Sequence, residues 1–202
     1  AALFGTYCEE RVENGLKVWY QDSTVEEIFP ALHHHTIDIG FFYADQRRMT
    51  AYLQMIERKH LEFVELCQTE PFLYVGPGNP LYYAESVTDR DLKSLKYVQS
   101  QDSYSRPDMH LMEGSMNSLC YQNQGQVMVT NNRSLLTQII RTTPLANISS
   151  GLFPDILNGQ GDIHAIPIHG MKNSMIFGYV KRLRGGLPEE TEQFVEYVKE
   201  HL

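Results

Sequence analysis

The sequence predicts an α/β protein made of two small lobes, each built on a mostly parallel sheet. Three observations lead there. Short apolar runs alternate with helix-compatible segments from one end of the chain to the other, the pattern of βαβ units. The densest cluster of chain breakers, Gly76-Pro77-Gly78-Asn79-Pro80, splits that alternation into two runs. The composition, 42% hydrophobic and 21% charged with 9 prolines and 14 glycines in 202 residues, is that of a globular chain and excludes disordered, collagen-like and coiled-coil classes.

Each element has a local reason. Leu3, Phe4, Tyr7, Cys8 and Val12 recur at helical spacing and predict a helix over 2–14, ended by Asn14-Gly15. Leu16–Tyr20 reads as a short strand. Ser23-Thr24-Val25-Glu26 matches a capping box and opens a helix over 24–34. Thr36–Tyr43 is apolar enough for a buried strand. Met49, Leu53 and Ile56 mark a helix over 46–58. Strands follow at Leu61–Leu66 and Phe72–Val75, and past the breakers at Lys96–Gln99, Gln126–Thr130, Ala146–Ile148, Ile163–Ile168 and Met175–Lys181. Helices are expected at Met109–Tyr121, Ser134–Arg141 and Leu152–Leu157. Pro188 suits the first turn of a last helix over 188–201, with Phe194, Val195 and Val198 as its apolar stripe and Glu189, Glu190 and Glu192 at its positive dipole end. Helices on both faces would leave the sheets buried on both sides.

Charge and cysteine content narrow the function. Lys and Arg number 17 against 25 Asp and Glu, a net charge of −8, so this chain alone is a poor partner for a phosphate backbone. No apolar run approaches the ~20 residues that span a bilayer, and the first residues lack the basic start of a secretory signal. Cys8, Cys67 and Cys120 are an odd, widely spaced set without a CxxC pair, which points to a reducing, cytoplasmic setting and to no zinc site. His33-His34-His35 invites a metal reading, but consecutive histidines point in different directions, and histidine near a helix C-terminus suits its dipole. Neither a G-x-S-x-G elbow nor a phosphate-cradling glycine loop occurs, so no catalytic residue and no cofactor is assigned.

The order Leu16-Lys17-Val18-Trp19-Tyr20, Asp22-Ser23-Thr24, Ile37-Asp38-Ile39-Gly40 resembles the effector-binding domain of LysR-type transcriptional regulators. Glu70-Pro71-Phe72-Leu73-Tyr74-Val75-Gly76-Pro77-Gly78-Asn79-Pro80-Leu81 is similar to that family's "EPL-x-LV-x-P-x-x-HPLA" stretch, with Asn79 where His is usual. Thr88-Asp89-Arg90-Asp91-Leu92 and the closing Ile163–Ile168, Ile176–Arg182, Pro188 and Phe194 extend the likeness over nearly the whole chain. The resemblance implies two Rossmann-like lobes of the type 2 periplasmic-binding-protein kind with a ligand cleft between them. Lobe I would be 1–75 and 169–202, and lobe II 76–168. It also implies a winged helix-turn-helix DNA-binding domain that would precede residue 1. The function it implies is that of a bacterial sensor module, not an enzyme, which binds a small-molecule effector and relays it to that domain. The alternative is a solute-binding protein of a transporter with the same two lobes. Expected partners are the effector, a carboxylate among the candidates, and further copies in a homodimer or homotetramer. DNA would be met only through the missing domain, and no membrane is involved. In the dimer, Leu3, Phe4 and Tyr7 of one copy would face the helix near Leu135–Ile139 of the other.

Candidate ligand residues follow from position. Ser23 and Thr24 precede a helix, whose free N–H groups and positive dipole end suit an anion; the competing reading is that Ser23 only caps that helix. Ser100 and Gln101 lie just past a strand's carboxyl end, where open α/β sheets bind ligands, or else belong to a plain polar loop. Asn147 and Ser149 follow another strand and face the same cleft or cap a helix. Arg106 and Arg133 are arginines that would suit a carboxylate in lobe II. Asp38, in an apolar segment, is expected to be structural, and Cys120 a buried structural thiol.

Overall fold

The computed structural model describes residues 2–9, 11, 18–100, 127–151, 162–169 and 175–202. In order these form α1 (Ala2–Glu9), α2 (Val25–His33), β1 (Gly40–Asp45), α3 (Gln46–Arg58), β2 (Leu61–Thr69), β3 (Pro71–Val75), β4 (Val87–Thr88), α4 (Asp89–Leu92), β5 (Tyr97–Ser100), β6 (Val127–Thr130), α5 (Arg133–Thr142), β7 (Ala146–Ser150), β8 (His164–His169), β9 (Met175–Arg182) and α6 (Glu189–Glu200). The expected helices at 109–121 and 152–157 fall outside the described residues, as do Gln101, Arg106 and Cys120. No helix among the described residues is long and apolar enough to cross a membrane.

The chain divides into two compact units. The first comprises 1–67 and 176–202, the second 68–175. Thus β3, which the lobe I range of 1–75 included, lies in the second unit, because it pairs there with β7 and β8. Gly76–Pro80 also lies inside that unit and forms a pinned turn. The Asn79 amide donates to Pro144 O at 2.7 Å, and its oxygen accepts from Leu81 N–H at 2.9 Å. At Gly76 a Cβ would run into the Ile140 carbonyl, so only glycine lets this turn approach α5.

The first unit has a three-stranded sheet in the order β1-β9-β2. Central β9 is buried along Met175–Val180, as its unbroken apolar run requires. At Gly178 a Cβ would meet the Val64 carbonyl and the Phe63 ring, so glycine sets how closely β2 can lie. Phe29 and Leu32 of α2, Phe42 of β1 and Met49 and Ile56 of α3 fill the core, while Leu53, at the expected helical spacing, faces outward at 46% exposure. The N-terminal α1 lies against α6 through Phe4 and Tyr7, which meet Phe194 at ring distances of 5.4 and 5.0 Å.

The second unit holds a six-stranded sheet, β4-β8-β3-β7-β5-β6. Its core gathers Leu73, Val75, Val87, Leu92, Ile148, Ile166 and Ile168 around the buried ring of Tyr97, and Tyr74 is buried in a second cluster with Val98, Ile140 and Ile163. The sheet is mixed, with three of its five strand pairings parallel, where a mostly parallel one was expected. β3 runs antiparallel to β7 and β8, whereas β4·β8, β5·β6 and β5·β7 are parallel. An apolar run marks a strand buried on both faces and carries no information on direction.

Several boundaries differ from expectation for physical reasons. Val18–Tyr20 has no strand partner and stays irregular, with Trp19 87% exposed; strand propensity without a neighbouring edge does not make a strand. Residues 36–39 are turn and bend, because the end of α2 folds back through Thr36 N–H to Ala31 O at 2.9 Å, so β1 starts only at Gly40. Pro188 stands one position outside α6, where its carbonyl accepts from Thr191 and Glu192 N–H, both at 2.9 Å.

Candidate functional site

Ser100 ends β5 and pairs with Thr130, the last residue of β6. β5 also runs parallel to β7, with Tyr97 opposite Ala146; three residues further along each strand come Ser100 and Ser149. The carboxyl ends of three neighbouring parallel strands therefore carry a row of half-buried hydroxyls: Thr130, Ser100 and Ser149. In open α/β sheets ligands bind beyond the carboxyl ends of the parallel strands. Thr130 escaped the sequence reading. Its strand was legible, but nothing in the sequence tells that β6 lies beside β5.

Beneath this row lie two buried amides. Gln99 is 3% and Asn147 6% exposed. Asn147 Nδ2 donates to Val98 O at 2.9 Å and lies 3.0 Å from the Gln99 side-chain amide. Asn147 thus fastens β7 to β5 under the hydroxyl row. Nearby, the Tyr74 hydroxyl donates to Ser150 O at 2.6 Å. At Gly151 a Cβ would strike the Phe72 ring, so glycine lets β7 leave the sheet past β3.

In the first unit, the cap of α2 is Thr24, one residue later than the expected Ser23. The Glu27 carboxylate accepts from Thr24 N–H at 2.8 Å, and Thr24 O accepts from Glu27 and Ile28 N–H, both at 3.0 Å. A capping box needs its carboxylate three residues after the cap; Glu26 and Glu27 in succession allow two registers, and burial of Val25 and Ile28 selects the later one. Ser23, half-buried, is released from capping and makes no hydrogen bond among the described residues. Asp38 lies before β1, half-exposed, and its Oδ1 is 3.2 Å from Arg182 Nη2. Arg182 Nη1 also donates to Ile37 O at 2.9 Å, so the pair fixes the entrance to β1. Arg133 opens α5, whose cap Asn132 accepts from Leu135 N–H at 2.9 Å. Tyr7, expected to face a second copy, is 2% exposed and covered by its own α6.

Burial and then Glu65 raise the Cys67 thiol above its usual range, which suits a quiet structural cysteine. Among the described residues no three His, Cys, Asp or Glu side chains come together as a metal site.

No protein-family model and no curated protein sequence matches the chain. Solved structures do. The effector-binding domain of QuiR in complex with shikimate superposes with a TM-score of 0.63 at 13% identity, over 99% of this chain and 88% of that one. The C-terminal domain of a probable LysR family transcriptional regulator from Rhodococcus sp. RHA1 gives 0.61 at 15% identity, over 98% and 90%. Full-length CbnR in complex with its target DNA gives 0.58 at 15% identity; this chain is covered completely and spans 64% of CbnR. At these identities the likeness carries the fold, and the chain has the mixed α/β fold of LysR-type effector-binding domains, of the type 2 periplasmic-binding-protein kind.

Proposed function

We propose that the chain is the ligand-sensing part of a LysR-type transcription regulator. In this reading a small organic acid binds between the two lobes and shifts the equilibrium of a DNA-binding domain joined to this chain. The observation that carries the proposal is the whole-chain likeness to the shikimate-bound QuiR domain, taken with a hydroxyl row at the carboxyl ends of β6, β5 and β7. Thr24 and Ser23 would meet the ligand from the first unit, at the positive end of α2. Ser100, Ser149, Thr130 and Gln101 would meet it from the second, with Asn147 holding the strands beneath them. Hydroxyls and backbone N–H groups bind and orient an acid but supply no nucleophile–base pair, so the reading is one of binding and not of turnover. A ligand shifts such a switch only by its differential affinity for the two states. The whole regulator would be cytoplasmic and a homodimer or homotetramer.

Calorimetry with shikimate and a panel of small hydroxy acids tests this. Thr24→Ala and Ser100→Ala each remove one donor to a charged group and should weaken the best ligand roughly 10- to 100-fold. Ser23→Ala should leave the melting temperature unchanged, since Thr24 is the cap. Parent-like affinity in both the Thr24 and Ser100 variants would sink the assignment of the site.

A further inference from the structure

Away from the hydroxyl row, the first unit carries an open cavity of about 420 Å³ lined by His33, His35, Lys59, His60, Arg182 and Arg184, with Leu61 and Leu183 as its apolar part. All of these residues belong to the first unit. In a chain of net charge −8, six basic side chains and no acidic one line a single concavity. Of the lysine and the two arginines, only Arg182 has an ion-pair partner among the described residues, Asp38 at 3.2 Å.

The backbone builds this place from three segments. His35 and His60 have φ of 59° and 54°, the only non-glycine residues in the left-handed region among those described. Each ends a helix by turning the chain back, α2 at His35 and α3 at His60. Leu183 N–H donates to His60 O at 3.0 Å and brings the exit of β9 to the same spot. Helix C-termini repel anions through their free carbonyls, and here several of those carbonyls are engaged by the turning chain. Leu32 O accepts from His35 N–H at 3.2 Å, and Ala31 O from Thr36 N–H at 2.9 Å. Ile56 O accepts from Lys59 N–H at 3.1 Å, and Glu57 O from His60 N–H at 3.0 Å. Complementing two helix dipoles would account for His33 and Lys59. It does not account for Arg184, which lies on neither helix.

We propose that this cavity binds a small phosphate ester, its oxyanion held by Lys59 and Arg184 and its apolar body set against Leu183. Arginine and lysine are the side chains suited to phosphate, as a planar fork and as a point charge. The volume falls within the range of small-ligand sites and exceeds what a bare ion needs. The site is independent of the effector reading, since it shares no residue with it.

The test uses phenyl phosphate as probe, titrated into the intact chain and followed by amide shifts and calorimetry, with inorganic phosphate and phenol as separate arms. Saturable shifts should centre on Lys59, His60, Leu183 and Arg184, and phenyl phosphate should bind more tightly than either fragment. K59Q/R184Q, both on the surface, should weaken binding by ~10-fold or more. Arg184→Glu alone should do so as well, while Lys96→Gln in the second unit changes nothing. Added salt should weaken the complex, because exposed charges are screened. The proposal is overturned if phenyl phosphate gives no saturable shift at millimolar concentration or binds K59Q/R184Q and the parent equally. It is equally overturned if inorganic phosphate or phenol binds as well as the ester.

Discussion

Phe29, Phe42, Tyr52 and Phe63 meet ring to ring in the core of the first unit, where the second unit sets the ring of Tyr97 among Leu73, Val75, Val87, Ile148, Ile166 and Ile168 and ties its hydroxyl to Leu92 O at 2.6 Å. Polar groups are handled as differently. The first unit keeps its charges at the rim, in half-exposed pairs such as Arg182–Asp38 and Lys181–Glu62. The second buries amides, Asn79, Gln99 and Asn147. Aliphatic side chains slide past one another with little directional preference, so a sheet packed on them gains register from polar groups that must find partners. A cluster of rings in mutual edge-to-face contact already prefers particular geometries, so the first unit can leave its polar groups outside.

The largest effects that would break this comparison come from hollowing the two cores. Phe29→Ala removes a fully buried ring and should cost about 3–5 kcal/mol; Leu73→Ala should cost about 2–5 kcal/mol. If the units are separate cooperative bodies, hydrogen exchange should show Phe29→Ala lowering protection in β1 and the later part of β9, with β3 and β8 spared. Leu73→Ala should do the reverse. Equal loss of protection in both units, in either variant, would mean that they unfold as one.

The next test sharpens the polar contrast. Asn147→Ala leaves Val98 O without its donor and should cost about 1–3 kcal/mol. Arg182→Gln breaks a pair at the rim and should cost no more than about 1 kcal/mol from the ion pair itself. Urea titration of both variants measures the difference. An Arg182→Gln cost exceeding that of Asn147→Ala would reverse the account of which unit depends on its polar groups.

What the sequence reveals follows the same division. Strands such as β3 and β9 and helix α3 are legible because burial on one or both faces imposes a period that needs no partner to be known. What is not legible is pairing. That β3 runs antiparallel to β7 and β8 within a sheet expected to be mostly parallel, and that β6 with Thr130 lies beside β5, depends on residues far apart in sequence. Val18–Tyr20 differs for the converse reason: it has strand-forming residues and joins no strand among the described residues. Of the site candidates, Ser100 and Ser149 were reached by the rule of strand ends, which is a rule of topology. The same rule singles out Asn147, yet its amide donates to Val98 O, a contact between strands 49 residues apart that no local pattern displays.

The smallest expected effect concerns how each unit starts a helix. The first uses Glu27, whose carboxylate accepts from Thr24 N–H at 2.8 Å. The second uses Asp91, whose Oδ2 accepts from both the Thr88 hydroxyl at 2.7 Å and Thr88 N–H at 2.8 Å. Donors to a carboxylate favour its ionised form, and the Thr88 hydroxyl, followed by the Thr88 backbone, holds Asp91 below the ordinary carboxylate range. A folded-state value below the unfolded one adds stability at pH above the unfolded value. That contribution is lost as pH falls through the folded value, so the start of α4 should fray only in acid. Asp91 is open to solvent, which keeps the effect local. Thr88→Ala removes the larger donor and keeps the smaller, so the Asp91 carboxyl should titrate at higher pH than in the parent while staying below the ordinary range. A carbon-detected NMR titration of the Asp91 side chain reads this directly. An unchanged midpoint in Thr88→Ala would assign the whole depression to the backbone bond and remove the distinction between the two helix starts.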